Sequence, residues 1–415
     1  MDSFIKKIEP FLYKITTQVH LLAVRDALLT VVPFLVLGGF ATFFAAVFFT
    51  ETGPLAGILD AQTIANLSTL FQRINNGTMG LLSLFLVCMI PYFLGNAKSF
   101  ENPFILSMNS LAIFFVFNPL GGGNAYFGTQ GVLLSILISL LSAELFMKLF
   151  GNEKLKWDMG GNVPAAVTRS FNSIFVIVIC VSVFALAATA INLLSGLETI
   201  EWIYSVLQTP LLGIGASLPG AIIYSVIGGF FFTLGIQPSG IQAPIEAAMI
   251  AGTAEGTIFN QPFFYCYSNF GGCGAAWALV ICLFLFTKRK EFKSVCKLVF
   301  FPEIFNISEP VMFGLPVVFN FIFLIPMICV PVIDSIIAYV LTSIGVLPVL
   351  TNTVVWSIPM FMNGFIASNG SVAVLIAQGC LLLLDVALWL PFVKIYERQL
   401  NEQSSDEKLE AAAEA

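Results

Sequence analysis

The residues best equipped for chemistry lie in one stretch, Phe305-Asn306-Ile307-Ser308-Glu309-Pro310-Val311-Met312-Phe313-Gly314-Leu315-Pro316. It places an amide, a hydroxyl and a carboxylate close together inside an apolar region. A carboxylate accepts two hydroxyl hydrogen bonds, and amide and hydroxyl side chains both donate and accept. Asn306, Ser308 and Glu309 therefore suit a polyhydroxylated ligand. The competing reading is a buried Glu tied down by local backbone amides for structural reasons. Ionisable groups at membrane depth are costly and concentrate at functional sites, which favours a site. Pro310 is expected to bias Glu309 away from helical dihedrals, setting it where a helix is interrupted.

Other candidates are scattered. Glu246, Asp334 and Asp385 also fall at apparent membrane depth, where they either line a cavity or pair internally. Trp356, Tyr265 and Tyr267 offer aromatic faces to a ring-shaped ligand, whereas Trp202 suits a membrane-interface belt. His20 is the only histidine, and its place at the head of the first span suits an interfacial or structural role. The eight cysteines, at 88, 180, 266, 273, 282, 296, 329 and 380, form no C-x-x-C pair and mostly sit in apolar runs. Neither a disulfide framework nor a metal site is expected, and no cofactor.

These residues must be positioned by membrane elements. Of 415 residues 58% are hydrophobic and 10% charged, and the mean hydropathy is +0.93, which excludes a soluble domain on a single anchor. The net charge of −6 is partly set by the acidic tail from Glu402 to Glu414, and nothing in it suggests nucleic acid. Phe4, Ile5, Ile8, Phe11, Leu12 and Ile15, interrupted by Lys6, Lys7 and Lys14, predict an amphipathic helix on the membrane surface rather than a cleavable signal.

Apolar segments of spanning length occupy 27–49, 79–95, 103–120, 131–150, 172–195, 211–234, 317–345 and 371–394. A shorter run, 274–287, ends in Lys288-Arg289-Lys290, and 236–270 is apolar but broken by Pro238, Gly240, Pro244, Gly252 and Gly256, as in re-entrant or discontinuous helices. With the N-terminus inside, Lys148, Lys154, Lys156 and Arg169 fall on the cytoplasmic side, and Arg73 is the one basic residue of the 50–78, 119–130 and 196–210 loops. Keeping Lys288 to Lys297 inside as well requires a further crossing within 236–270. The expected fold is thus an all-α polytopic membrane protein with about ten transmembrane helices, re-entrant hairpins in its C-terminal half and both termini cytoplasmic. Residues 1–210 are read as a surface helix and transmembrane half, 211–400 as the substrate-binding half and 401–415 as a cytoplasmic tail.

The signature segment, continuing to Asn320 and Ile325-Pro326, resembles that of phosphotransferase enzyme IIC proteins, whose lactose/cellobiose (diacetylchitobiose) members carry N-I-N-E-P-x-x-F-G-x-P. His20-Leu21-x-x-Val24-Arg25-Asp26 resembles the family's H-L-x-A-[VI]-R-D. Val163-Pro164-Ala165-Ala166-Val167-x-x-Ser170-Phe171 is similar to its V-P-P-A-V-x-x-S-F, Gly271-Gly272-Cys273-Gly274-Ala275 to G-G-S-G-A, and Trp356-Ser357-Ile358-Pro359 to W-T-T-P. The resemblance implies a homodimer in the bacterial cytoplasmic membrane, with residues 1–210 at the dimer interface. It also implies import of a sugar, a β-disaccharide or related compound, held by Glu309, Asn306, Ser308 and Trp356. Phosphorylation falls to a separate IIB partner bringing phosphate on its own cysteine, with Glu309 as the one candidate base on this chain.

The chain departs from that pattern at Gln237, which stands where relatives have a histidine in G-I-H-G. Gln keeps an acceptor and two donors for sugar binding but cannot titrate. Two other readings of the scaffold stay open from this change and the extra acids: an ion-coupled or facilitative sugar transporter, and a sugar sensor. The basic run Lys288 to Lys297 could dock the IIB partner or serve as a positive-inside anchor.

Overall fold

In the computed structural model, residues 18–50, 53–118, 126–155, 165–208, 214–215, 217–234, 239–269, 271–318 and 320–414 are described. The expected N-terminal surface helix and Gln237 lie outside them. All the regular structure among the described residues is helical. In chain order the helices are α1 (Val19–Phe43), α2 (Ala61–Asn76), α3 (Leu82–Ala97), α4 (Pro103–Phe117), α5 (Val132–Phe150), α6 (Ala165–Ser195), α7 (Thr199–Gln208) and α8 (Leu218–Thr233). They continue as α9 (Ser239–Glu255), α10 (Gln261–Phe263), α11 (Ala276–Phe286), α12 (Lys290–Ile304), α13 (Glu309–Gly314), α14 (Phe321–Ser343), α15 (Met362–Ala367) and α16 (Val372–Glu414).

Six helices among the described residues are long and apolar enough to cross a membrane, and Pro103–Phe117, Leu218–Thr233 and Ala276–Phe286 are shorter apolar helices. Each of the spans and the short run read from hydropathy overlaps one of these. The broken region differs from expectation in its detail. Helix α9 runs through Gly240, Pro244 and Gly252, and of the expected breaks it is Gly256 that ends it, with a φ of +72°, the left-handed conformation that ends a helix at low steric cost.

The chain gathers into two units, one of residues up to Pro33 with Gly77–Pro210 and one of Phe34–Asn76 with Leu211 onward. In the first, α3, α4 and α5 bury Val87, Leu94, Leu106, Ile113, Phe114, Leu134, Ile138 and Phe146 against one another. Small hydroxyls tie these helices where side chains are short: Ser110 and Ser142 meet at 2.6 Å, and Ser107 donates to the Cys88 carbonyl at 2.6 Å. His20 Nε2 lies 2.6 Å from Glu144 Oε1, and Lys98 reaches the same oxygen, a polar link between α1, the end of α3 and α5. This is the structural role expected of the histidine.

In the second unit Phe40 and Phe43 pack, tilted or edge-on, against Phe301 and Phe305 beside the signature segment, at ring separations from 4.2 to 5.5 Å. Its core joins α11, α14 and α16 through Leu279, Leu283, Phe323, Met327 and Trp389. Helix α14 also lies along α8, close enough that a methyl at Gly229 would approach the Met327 carbonyl to 2.6 Å.

Candidate functional site

The junction within the signature segment is built on Asn306. Helix α12 ends at Ile304, and Asn306 adopts φ +58°, a left-handed conformation that Asn tolerates better than most side chains. Its amide then holds three distant segments. Oδ1 accepts the Gly271 N–H at 2.8 Å, while Nδ2 donates to the carbonyls of Trp356 at 2.7 Å and Ile358 at 2.9 Å. Ser308 Oγ donates to the Gly271 carbonyl at 3.1 Å. Irregular backbone in an apolar environment must find such partners, because no water replaces them.

The glycine segment allows this close approach. A Cβ on Gly272, whose φ is +69°, would sit 1.7 Å from Ser308 Oγ, so only glycine fits. From the other side Trp389, fully buried on α16, donates its indole N–H to the Gly274 carbonyl at 3.2 Å and packs edge-on against Phe323. Trp389→Phe keeps most of the packing and deletes that donor. It is expected to cost about 1–3 kcal/mol, read as a lower Tm of the purified protein; an unchanged Tm would remove Trp389 from the frame of the glycine segment.

Glu309 opens α13 in a helical conformation, with Pro310 next to it in the first turn. The expected extended backbone at Glu309 is therefore wrong. Proline is tolerated in a first turn because an N–H there has no intrahelical acceptor, and the interruption falls three residues earlier, at Asn306. The Glu309 side chain lies outside the described residues.

Of the sequence-derived site residues, the structure brings Asn306, Ser308 and the Trp356 backbone together, with the Trp356 side chain half-buried. The amide of Asn306 and the hydroxyl of Ser308 bond to backbone, so both act as positioning groups here. Trp202 is exposed on α7, and Tyr267 is fully buried against Phe263.

Several connections had no sequence signal. Phe264–Ser268 forms a π-helical turn, in which the Tyr265 hydroxyl donates to Glu246 Oε1 at 2.8 Å. Asn363 donates to the Tyr265 carbonyl at 2.8 Å, and Gln378 donates to the Cys266 carbonyl at 2.8 Å and to Asn363 Oδ1 at 2.9 Å. Asp334 on α14 and Asp385 on α16 are fully buried neighbours, and among the described residues no donor from another residue reaches either carboxyl. Of the two readings open for this pair, full burial of both favours internal pairing. Glu303, in the last turn of α12, is a further fully buried acid within the segment.

At the other end of α12, Glu291 meets Arg289 at 3.1 Å. The free backbone N–H of its own residue, and then the Arg289 side chain, hold its carboxyl below the usual range. Among the described residues no group of three or more His, Cys, Asp or Glu is placed to hold a metal ion.

Known proteins resemble the chain along most of its length. Residues 25–331 match the family model described as phosphotransferase system, EIIC. The oligo-beta-mannoside-specific EIIC component of Bacillus subtilis (strain 168) is 28% identical over 99% of this chain and 98% of its own length. The lichenan permease IIC component of the same organism is 27% identical over 97% of this chain and 95% of its own. The lactose-specific EIICB component of Lacticaseibacillus casei is 24% identical, and the alignment covers 99% of this chain but 74% of that protein. The crystal structure of ChbC, the IIC component of the N,N'-diacetylchitobiose-specific phosphotransferase system, superposes with a TM-score of 0.56 at 28% identity, covering 97% of this chain and 99% of that one. With an all-helical membrane architecture and an Asn306-centred signature junction already in hand, these matches establish that the chain belongs to the phosphotransferase system EIIC family, as a membrane translocator of sugar.

Proposed function

We propose that this chain imports a β-linked disaccharide or a related sugar and presents one of its hydroxyls at Glu309 for phosphorylation by a cytoplasmic IIB partner. The observation that carries the reading is the Asn306 junction. Three buried backbone-directed hydrogen bonds fix the start of α13, so the signature carboxylate issues from a preorganised frame instead of a mobile loop. The specificities of the relatives, oligo-beta-mannoside and lichenan among them, favour β-linked substrates.

Ten crossings with re-entrant hairpins, cytoplasmic termini and a homodimer complete the proposal. Helix α12 has 15 residues, about 22 Å of helix against a hydrocarbon core of about 30 Å, as suits one arm of a hairpin. Lys288 and Lys290 are exposed at its base and Lys297 midway along it, in keeping with a cytoplasmic position of that end beside the phosphorylated partner.

Proteoliposomes holding the full chain test the coupling. With phosphorylated IIB inside, a labelled β-disaccharide is expected to accumulate as its phosphate, and without IIB no concentrative uptake is expected. Gradient-driven accumulation of unmodified sugar in the absence of IIB would overturn the reading in favour of ion coupling.

A further inference from the structure

Glu246 sits on α9 with one carboxylate oxygen accepting from the Tyr265 hydroxyl at 2.8 Å. The residue is half-buried, and its second oxygen has no hydrogen-bond partner among the described residues. Because the residue is only half-buried, that second oxygen is open to a hydrogen-bond donor from a ligand. Its one donor is also elaborately aimed. Tyr265 lies in the π-helical turn, whose exposed carbonyls are capped by Asn363 and Gln378, and π turns of this kind recur at functional sites.

A continuous path leads from this carboxylate to the signature junction. Gln242 stands one turn before Glu246 on the same face of α9. Its Nε2 donates to the Tyr224 carbonyl at 2.7 Å, and over Gly228 it converges with Cys273, since a Cβ there would lie 3.2 Å from Gln242 Nε2 and 3.5 Å from Cys273 Sγ. Cys273 follows Gly272, the residue pressed against Ser308. Glu246 thus stands one helical turn, about 5.4 Å, beyond the point where α9 meets the glycine segment, an offset comparable to one pyranose ring.

We propose that Glu246, aimed by Tyr265, binds the hydroxyls of a second sugar ring, so that the site selects a disaccharide over a monosaccharide. This rests on the reading of the Glu309 segment as the seat of the ring to be phosphorylated. The free oxygen of Glu246 accepts from a ring hydroxyl, and Tyr265 fixes the carboxylate plane so that the acceptor does not swing away. Neither residue takes part in phosphoryl transfer, so the effect is on affinity and on the choice of sugar.

The experiment measures binding to the full-length protein in nanodiscs, using pairs of β-linked disaccharides and the matching methyl β-monosaccharides, cellobiose with methyl β-glucoside among them. Wild type is expected to bind one disaccharide more tightly than its methyl monosaccharide. Glu246→Gln is expected to weaken that disaccharide about 10- to 100-fold, the worth of a charge-assisted hydrogen bond, while the monosaccharide changes less than about twofold. Tyr265→Phe, which keeps the ring and loses only the hydroxyl, is expected to act in the same direction by a smaller factor. The proposal is overturned if Glu246→Gln weakens both sugars equally or neither, or if wild type shows no preference within a pair. Glu309→Gln separates the two ideas: it should weaken both sugars, and if it weakens neither, the reading of Glu309 fails even where the selectivity of Glu246 stands.

Discussion

Glu309→Gln is expected to bring sugar uptake and sugar phosphorylation to background while the protein still inserts, folds and melts as wild type. Gln preserves shape and keeps one acceptor, but it withdraws the negative charge that strengthens a bond to a sugar hydroxyl, worth about 1.5–3 kcal/mol. It also removes the one group of the signature able to take a proton from the attacking hydroxyl, a contribution of about 10²- to 10⁴-fold in general-base catalysis. Binding and chemistry should fall together, because ligand affinity and phosphoryl acceptance use the same oxygens. Gln237 sharpens the expectation, since an amide in place of a titratable imidazole leaves no second base at that position.

The natural comparison is Asn306→Ala, which deletes three bonds to backbone and leaves a non-glycine residue in a left-handed conformation without its amide. That variant should lose thermal stability along with uptake. Uptake surviving Glu309→Gln at more than about a tenth of wild type would take Glu309 out of the site, because loss of a charge-assisted bond predicts a larger drop.

The contrast between these two variants marks what the sequence could and could not disclose. Hydropathy located the spans because each must present an unbroken apolar surface to lipid, and that constraint is local. The signature segment was legible because a carboxylate in apolar surroundings stands out by composition alone. The division of labour within it was not. Asn306, Ser308 and Glu309 look alike as polar residues in a row, and only the approach of Gly271 and Trp356 from far along the chain commits Asn306 and Ser308 to the backbone. Pro310 misled for a related reason: its steric rule describes the residue before it in isolation, whereas the left-handed Asn306 had already ended the preceding helix. The π-helical turn at Phe264–Ser268 carries no periodicity or capping residue that separates it from an ordinary helix, so the aim of Tyr265 at Glu246 emerges only in three dimensions.

The fate of the other membrane-depth acids was open for the same reason, and for Asp334 and Asp385 the structure makes a strong prediction. Both are fully buried, on α14 and α16, and among the described residues no N–H or hydroxyl of a third residue reaches either carboxyl. Two acids buried side by side in apolar surroundings cannot both carry charge, so one holds a proton that it can share with the other, and the pair is one unit whose members depend on each other. Asp334→Ala or Asp385→Ala strands an acid among apolar side chains and is expected to cost about 3–5 kcal/mol, whereas replacing both by Leu removes the desolvated pair and is expected to be close to neutral. Asp334→Asn, which retains a donor toward Asp385, should fall between. A double-mutant cycle on the Tm of the purified protein therefore predicts strong non-additivity, because each single change leaves the other acid without its partner. Uptake should follow stability throughout, with the double Leu variant transporting nearly as wild type, since Ser268 and Ser335, which meet at 2.6 Å beside Asp334, still join α14 to the π-helical turn. Additive losses would mean that the two acids act independently, and a stable double variant without uptake would assign the pair to transport itself, where a proton moving between buried acids is the signature of ion coupling.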